Sequence, residues 1–232
     1  MRLIRERTVK DYLDLLDEGT GLLLVGGQAV NLWAEKYREK DPVILEFEPF
    51  TSRDADFYRR VPRLKLPPNW TKVPIPTKGR MRLVTHALRG PEGQDAEILR
   101  SVNGLTDEDI HDQAMPIQYA GKLMWFLTPI ALFQAKLANL DSIPQEGRQD
   151  LKHLRLLVPV SRCFIDEVLA HTTEEARPQR IIKWLTQHKQ NLRSAMTKGH
   201  LNAGDLEDSL PIDAMKAHPS ESVRNFLKHL DR

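Results

Sequence analysis

Three short segments hold residues whose types and spacing could do chemistry. In Ser52-Arg-Asp-Ala-Asp-Phe57, a strand reading puts Asp54 and Asp56 on one face and turns Ala55 and Phe57 toward a core. Two neighbouring carboxylates on a half-buried face repel each other and lose hydration. A divalent cation relieves both costs, and hard oxygen ligands suit Mg²⁺. In Asp95-Ala-Glu-Ile-Leu99 the same alternation pairs Asp95 with Glu97, opposite Ala96 and Ile98. Glu97 lies deeper in the apolar part of that segment and is preferred, with Asp95, next to a loop, as the alternative. In Val25-Gly-Gly-Gln-Ala29 an apolar run passes through two glycines into a helical pattern. Glycines let the backbone approach a phosphate, and a helix N-terminus offers free amides and partial positive charge. Taken singly, each segment also has a plain reading: a solvated strand edge for the acids, a tight turn for the glycines. Together, a phosphate-holding turn and acids on two later strands make a site for in-line phosphoryl chemistry at a metal pair.

The elements that must position these residues follow from periodicity. Val9–Leu16 has helical spacing, Leu22–Val25 is a short buried strand, and residues 29–38 read as a helix broken by Asp41-Pro42. Strands are predicted at 53–58, 82–88 and 95–102, the last two joined by a hairpin loop over 89–94. The proline-rich stretch 61–80 reads as an irregular connection. Thr106 starts a helix, strand-like pieces follow at 116–120 and 123–127, and Thr128-Pro129 supplies a cap and a first-turn proline. Helices are predicted over 129–141, 146–158, 161–172, 178–197 and 220–230, with a linker at 198–210. The outline is an α/β domain over 1–127 followed by a helical domain over 128–232.

The segments Leu22-Leu-Leu-Val-Gly-Gly-Gln-Ala-Val-Asn-Leu-Trp33, Thr51-Ser-Arg-Asp-Ala-Asp-Phe57 and Ala96-Glu-Ile-Leu-Arg-Ser-Val-Asn-Gly-Leu105 resemble the DNA polymerase beta-type nucleotidyltransferase superfamily. The similarity is to its bacterial branch of abortive-infection toxin-like and uncharacterised nucleotidyltransferases, over about residues 20–155. The resemblance implies a short mixed sheet flanked by helices, with a helical C-terminal part. It implies transfer of a nucleoside monophosphate from an NTP to an acceptor hydroxyl on RNA, a protein or a small molecule, with release of pyrophosphate. Gly26 and Gly27 would hold the triphosphate. Asp54, Asp56 and Glu97 would be the catalytic and metal-binding acids for two Mg²⁺ ions, with Mn²⁺ as a substitute. Glu97 would also help to deprotonate the acceptor. Many catalytic members have serine at the position of Gly27 and aspartate at that of Glu97. These departures support the alternative of a non-catalytic nucleotide-binding protein, or one half of a toxin–antitoxin pair with a partner protein. A glycosyltransferase using Asp54-x-Asp56 is a third reading, opposed by the many C-terminal helices.

Lys136 falls within the apolar face of the helix that starts at Pro129. Its ammonium must snorkel out or meet an anion, and the resemblance suggests a nucleotide phosphate. Arg148-Gln-Asp150 resembles the family's Arg-x-Asp segment, although an acid in a first helical turn is also favoured by the helix dipole. Between Arg177 and Lys198 stand six basic residues and no acid, spread around the helix as on a solvated surface rather than gathered for RNA. The histidines lack metal spacing, no G-x-S-x-G occurs, and Cys163 sits in an apolar helical stretch as a core residue. Lys plus Arg total 34 against 32 acids, a net charge of +2, so a polyanion site must be local. An N-terminus charged from the outset and the lack of any long apolar run predict a cytoplasmic protein without membrane contact.

Overall fold

A computed structural model describes residues 6–16, 20–59, 65–75, 83–171 and 178–230. Near its centre runs the apolar Leu22–Val25 (β1), every residue buried, with strands hydrogen-bonded along both of its edges. The other strands are Asp54–Arg59 (β2), Thr71–Val73 (β3), Val84–Arg89 (β4), Asp95–Leu99 (β5), Ala114–Tyr119 (β6) and Lys122–Leu127 (β7). They form one mixed sheet in the order β3-β4-β5-β2-β1-β7-β6. β2 runs antiparallel to β1 and parallel to β5, whereas β7 runs parallel to β1. The fold class is therefore α/β with a mixed sheet, as expected. The predicted 61–80 connection contains the edge strand β3, and residues 60–64 and 76–82 lie outside the described residues.

The helices are Gly26–Tyr37 (α1), Pro42–Leu45 (α2), Asp107–Gln113 (α3), Pro129–Ser142 (α4), Asp150–Ala170 (α5), Pro178–Thr197 (α6), Asp205–Asp208 (α7), Ile212–Ala217 (α8) and Glu221–Lys228 (α9). α4 and α5 both pack against α1, so the helical C-terminal part joins the core beneath the sheet. Trp33 of α1 anchors this junction: its indole Nε1 donates to the Leu127 carbonyl at 2.8 Å, and Phe164 of α5 meets its ring edge-on. Cys163 is a buried free thiol, and burial pushes its pKa up to about 11. It is a core residue, as its neighbours predict.

The structure differs locally from the sequence reading at five places. α1 begins at Gly26 itself, so both glycines belong to its first turn. α1 has already ended at Tyr37, and Asp41-Pro42 instead starts another helix, because the Asp41 carboxylate accepts the Val43 amide at 3.1 Å and Pro42 fits the first turn. Residues 146–172 do not divide in two: α5 runs unbroken through Pro159. Proline there removes a bond to the carbonyl of Arg155, a residue on the exposed side of the helix, where water can replace it. The linker at 198–210 holds the short α7, and α8 follows it. Val9–Leu16 is a short 3-10 turn at Val9–Tyr12 rather than a full helix.

The basic helix α6 is tied down rather than free. Lys183 pairs with Asp112 at 2.7 Å, Lys198 with Asp141 at 2.5 Å, and Arg193 donates to the Leu230 carbonyl at 2.6 Å. Arg180 lies 4.6 Å from the Trp184 ring centroid, while Lys189 donates to the His229 carbonyl. Arg177 lies outside the described residues. No helix among the described residues is long and apolar enough to cross a membrane.

Candidate functional site

The sheet register brings the singled-out residues together. Asp56 is the cross-strand partner of Val25 on β1 and of Glu97 on β5, and Asp54 is the partner of Asp95. Ala55, Phe57, Ala96 and Ile98 point into the core, each at most 1% exposed, which leaves Asp54, Asp56 and Glu97 half-buried on the other face. One carboxylate oxygen of Asp56, Oδ1, and one of Glu97, Oε2, are fully shielded from solvent.

Gly26 follows Val25 and has φ of +69°, a left-handed conformation that L side chains rarely adopt. A Cβ there would overlap Oδ2 of Asp56 and lie 2.9 Å from its Cβ. Glycine is thus required twice, by the backbone and by the carboxylate against it. At Gly27 a Cβ would come within 2.9 Å of the His153 ring and 3.3 Å of Ser52 Oγ. α1 has no side-chain cap at Val25, so its first-turn amides keep donor capacity.

Two clefts meet at this point. The polar one, about 190 Å³, has Gly27, Ser52, Arg53, Asp54 and Asp56 on one wall. Its other wall is built from Lys136 and the start of α5, with Arg148, Asp150 and His153. The second, about 90 Å³, is lined by Gly26, Asp56, Glu97, Lys136 and Arg148 among aliphatic residues such as Val84, Leu99, Val102, Leu132 and Ile143. Asp56, Lys136 and Arg148 line both. Both walls of the polar cleft carry mixed charge: Arg53 stands beside Asp54 and Asp56 on the strand side, and Asp150 beside Lys136 and Arg148 on the helix side.

Lys136 does not snorkel. It is buried, and its Nζ donates to Asp150 Oδ1 at 2.8 Å. Arg148 Nε reaches Asp150 Oδ2 at 2.5 Å and Asn139 reaches Oδ1 at 3.3 Å. The anion that answers Lys136 within the chain is therefore Asp150, held between two cations. Lys136 and Arg148 together outweigh Asp150 by one positive charge, which faces both clefts. Asp95, the alternative to Glu97, is exposed, pairs with Arg89 at 2.7 Å, and lines neither cleft.

Sequence reasoning missed His153 and Ser52. His153 stands one turn after Asp150 on α5 and is 3% exposed. Burial, and then the Lys136 charge, hold its pKa well below the usual histidine range, so the imidazole is neutral. The usable signal in the sequence is the Asp150/His153 spacing of three, which places both on one helix face. Tyr12, whose hydroxyl is pushed up chiefly by burial and next by Asp54, is a core residue with its ring 6.1 Å from that of Trp70.

Asp54 and Asp56 are the pair that could hold a divalent ion. Among the described residues no group of three His, Cys, Asp or Glu side chains could do so. Asp54 and Asp56 share the polar cleft, while Glu97 joins Asp56 in the other. Mg²⁺ usually takes one or two carboxylates with phosphate oxygens and water rather than a full protein cage, so the pair fits it.

No protein-family model and no curated protein matches the chain. Among solved structures, it is similar to an antigenic nucleotidyltransferase-like protein from Paracoccidioides brasiliensis, at 12% identity, covering 83% of this chain and 94% of that one, with a TM-score of 0.43.

Proposed function

We propose that the two clefts bind a nucleoside triphosphate and that the protein transfers its nucleoside monophosphate to an acceptor hydroxyl. The observation that carries this reading is the position of Asp56, pressed against the Gly26 turn, beside Glu97 in the sheet, and on the wall of both clefts. The polar cleft offers amides and cations to phosphates, and the aliphatic cleft suits the flat face of a base. Asp54 and Asp56 would hold Mg²⁺, which when bound supplies positive charge to the phosphoryl oxygens. Lys136 and Arg148 add fixed positive charge on the opposite wall. The acceptor oxygen forms a bond to the α-phosphorus, the α–β bridging bond breaks, and pyrophosphate leaves. The hydroxyl proton passes to the Glu97 carboxylate. RNA, protein or a small molecule supplies the hydroxyl.

A second reading, nucleotide binding without transfer, is favoured by the lack of a three-ligand acid group among the described residues. It would suit a sensor or one member of a toxin–antitoxin pair. Two measurements separate these. In thermal melting with Mg²⁺ and each NTP, a nucleotide at tenfold its Kd should add about 1.4 kcal/mol, or about 3–5 °C. No shift with any NTP refutes both readings. With α-labelled NTP and total RNA or lysate, label transfer should vanish in Asp54→Asn/Asp56→Asn. Transfer that survives removes these aspartates from the reaction, and binding without transfer selects the second reading.

A further inference from the structure

One buried polar side chain in the polar cleft has no part in the chemistry above. Neither ring nitrogen of His153 has a hydrogen-bond partner among the described residues. Burying an imidazole in that state is costly, and a residue kept only for packing is better served by an apolar side chain. Its ring is directed at Gly27: a Cβ there would lie 2.9 Å from Cε1 and 3.6 Å from Nδ1. The same point is 3.3 Å from Ser52 Oγ. With no side chain at position 27, the imidazole and the Ser52 hydroxyl close directly onto the uncapped first turn of α1, and all three line the polar cleft. A neutral imidazole supplies one N–H, a serine one O–H, and the helix its amides. Donors of three kinds around one cleft match the oxygens of a phosphoryl group.

We propose that His153 donates its ring N–H to a phosphoryl oxygen of a nucleoside triphosphate seated against Gly27, with the Ser52 hydroxyl as a second donor. This assignment rests on the nucleotide reading and adds to it a phosphate subsite built on α5. Lys136 and Asp150, whose charges bear on the ring, are engaged with each other, and neither hydrogen-bonds to it.

The test is calorimetric binding of inorganic tripolyphosphate, of each NTP and of each unphosphorylated nucleoside, all with Mg²⁺. It compares the wild type with His153→Phe, which fills the volume without a donor, and His153→Gln, which retains one. His153→Phe should weaken tripolyphosphate and NTP binding about tenfold, His153→Gln should stay within about threefold of the wild type, and nucleoside binding should not change. In wild-type protein labelled with ¹⁵N-histidine, the His153 ring signal should move on adding tripolyphosphate and stay still with nucleoside. That measurement needs no variant. If His153→Phe binds tripolyphosphate like the wild type, or the ring signal stays fixed while tripolyphosphate binds, the subsite is refuted and the nucleotide reading survives. Equal weakening of nucleoside and tripolyphosphate would reduce His153 to a packing residue and also overturn the proposal. If the wild type binds neither tripolyphosphate nor any NTP, the nucleotide reading fails and takes the subsite with it.

Discussion

Gly26→Ala is the sharpest probe of how the turn and the acid are built against each other. Alanine at φ of +69° meets the left-handed penalty of an L-residue, about 1–2 kcal/mol. Its methyl group would also overlap the Asp56 carboxylate, an overpacking cost of about 1–3 kcal/mol. The expected loss is therefore about 2–5 kcal/mol, a large fraction of the stability of an ordinary domain. In an Asp56→Ala background the carboxylate is gone, although Cβ remains 2.9 Å from the inserted methyl. The same substitution should then cost about 1–3 kcal/mol, close to the backbone penalty plus a residual contact. Urea unfolding of the wild type, both single variants and the double variant gives the coupling energy directly. We expect a coupling of about 1–2 kcal/mol, seen as a shift in midpoint at constant slope. A Gly26→Ala protein within about 0.5 kcal/mol of the wild type, or an equal cost in both backgrounds, would refute the close contact on which the site is argued.

Other consequences are open to direct measurement. His188 is fully buried against the edge of Phe133, without a hydrogen-bond partner among the described residues, and burial pushes its pKa down to about 3. The unfolded chain binds this proton near pH 6.5 and the folded chain does not, so stability should fall as pH drops from 6.5 toward 3. At pH 5 the loss is about 2 kcal/mol, and His188→Phe should flatten that part of a urea-midpoint profile; an unchanged slope would show that another group governs it. Lys136→Met leaves the buried Asp150 with fewer counter-charges and should cost about 3 kcal/mol, lowering Tm by about 6–12 °C in calorimetry. A shift under about 2 °C would mean that Arg148 alone satisfies the acid. Asp41→Ala removes the α2 cap and the Arg162 partner, with an expected loss of about 1 kcal/mol in the denaturant midpoint. A following Arg162→Ala should add little, and a full second loss would separate the two roles.

Much of this arrangement was legible because period-two alternation is set by burial. Ala55 and Phe57 against Asp54 and Asp56, and Ala96 and Ile98 against Glu97, specified which way each carboxylate faces. Only the fold sets the register that puts Asp56 beside Glu97, since pairing between strands about forty residues apart leaves no local signature, whereas Asp95 meets Arg89 across its own hairpin. α5 was misread for the reverse reason. Pro159 is a strong local breaker, but packing of Leu156, Leu157, Val160 and Phe164 against neighbouring helices outweighs one lost hydrogen bond. The partner of Lys136 was equally hidden, because a lysine on an apolar face reads the same whether it awaits a ligand or meets Asp150. His153 escaped notice because a histidine becomes conspicuous only when its surroundings fail to answer it.

The partition between the clefts, formed by Asp56, Lys136 and Arg148, has a practical consequence for inhibitor chemistry. Small fragments should lodge on either side independently, an anionic one beside Gly27 and a planar lipophilic one among Val84, Leu99 and Ile143. A short tether over that divide would raise the effective concentration of the second fragment, so a linked compound should bind far more tightly than either half. A tether that cannot span the divide would gain nothing, which makes linker length a ruler for the distance between the two halves.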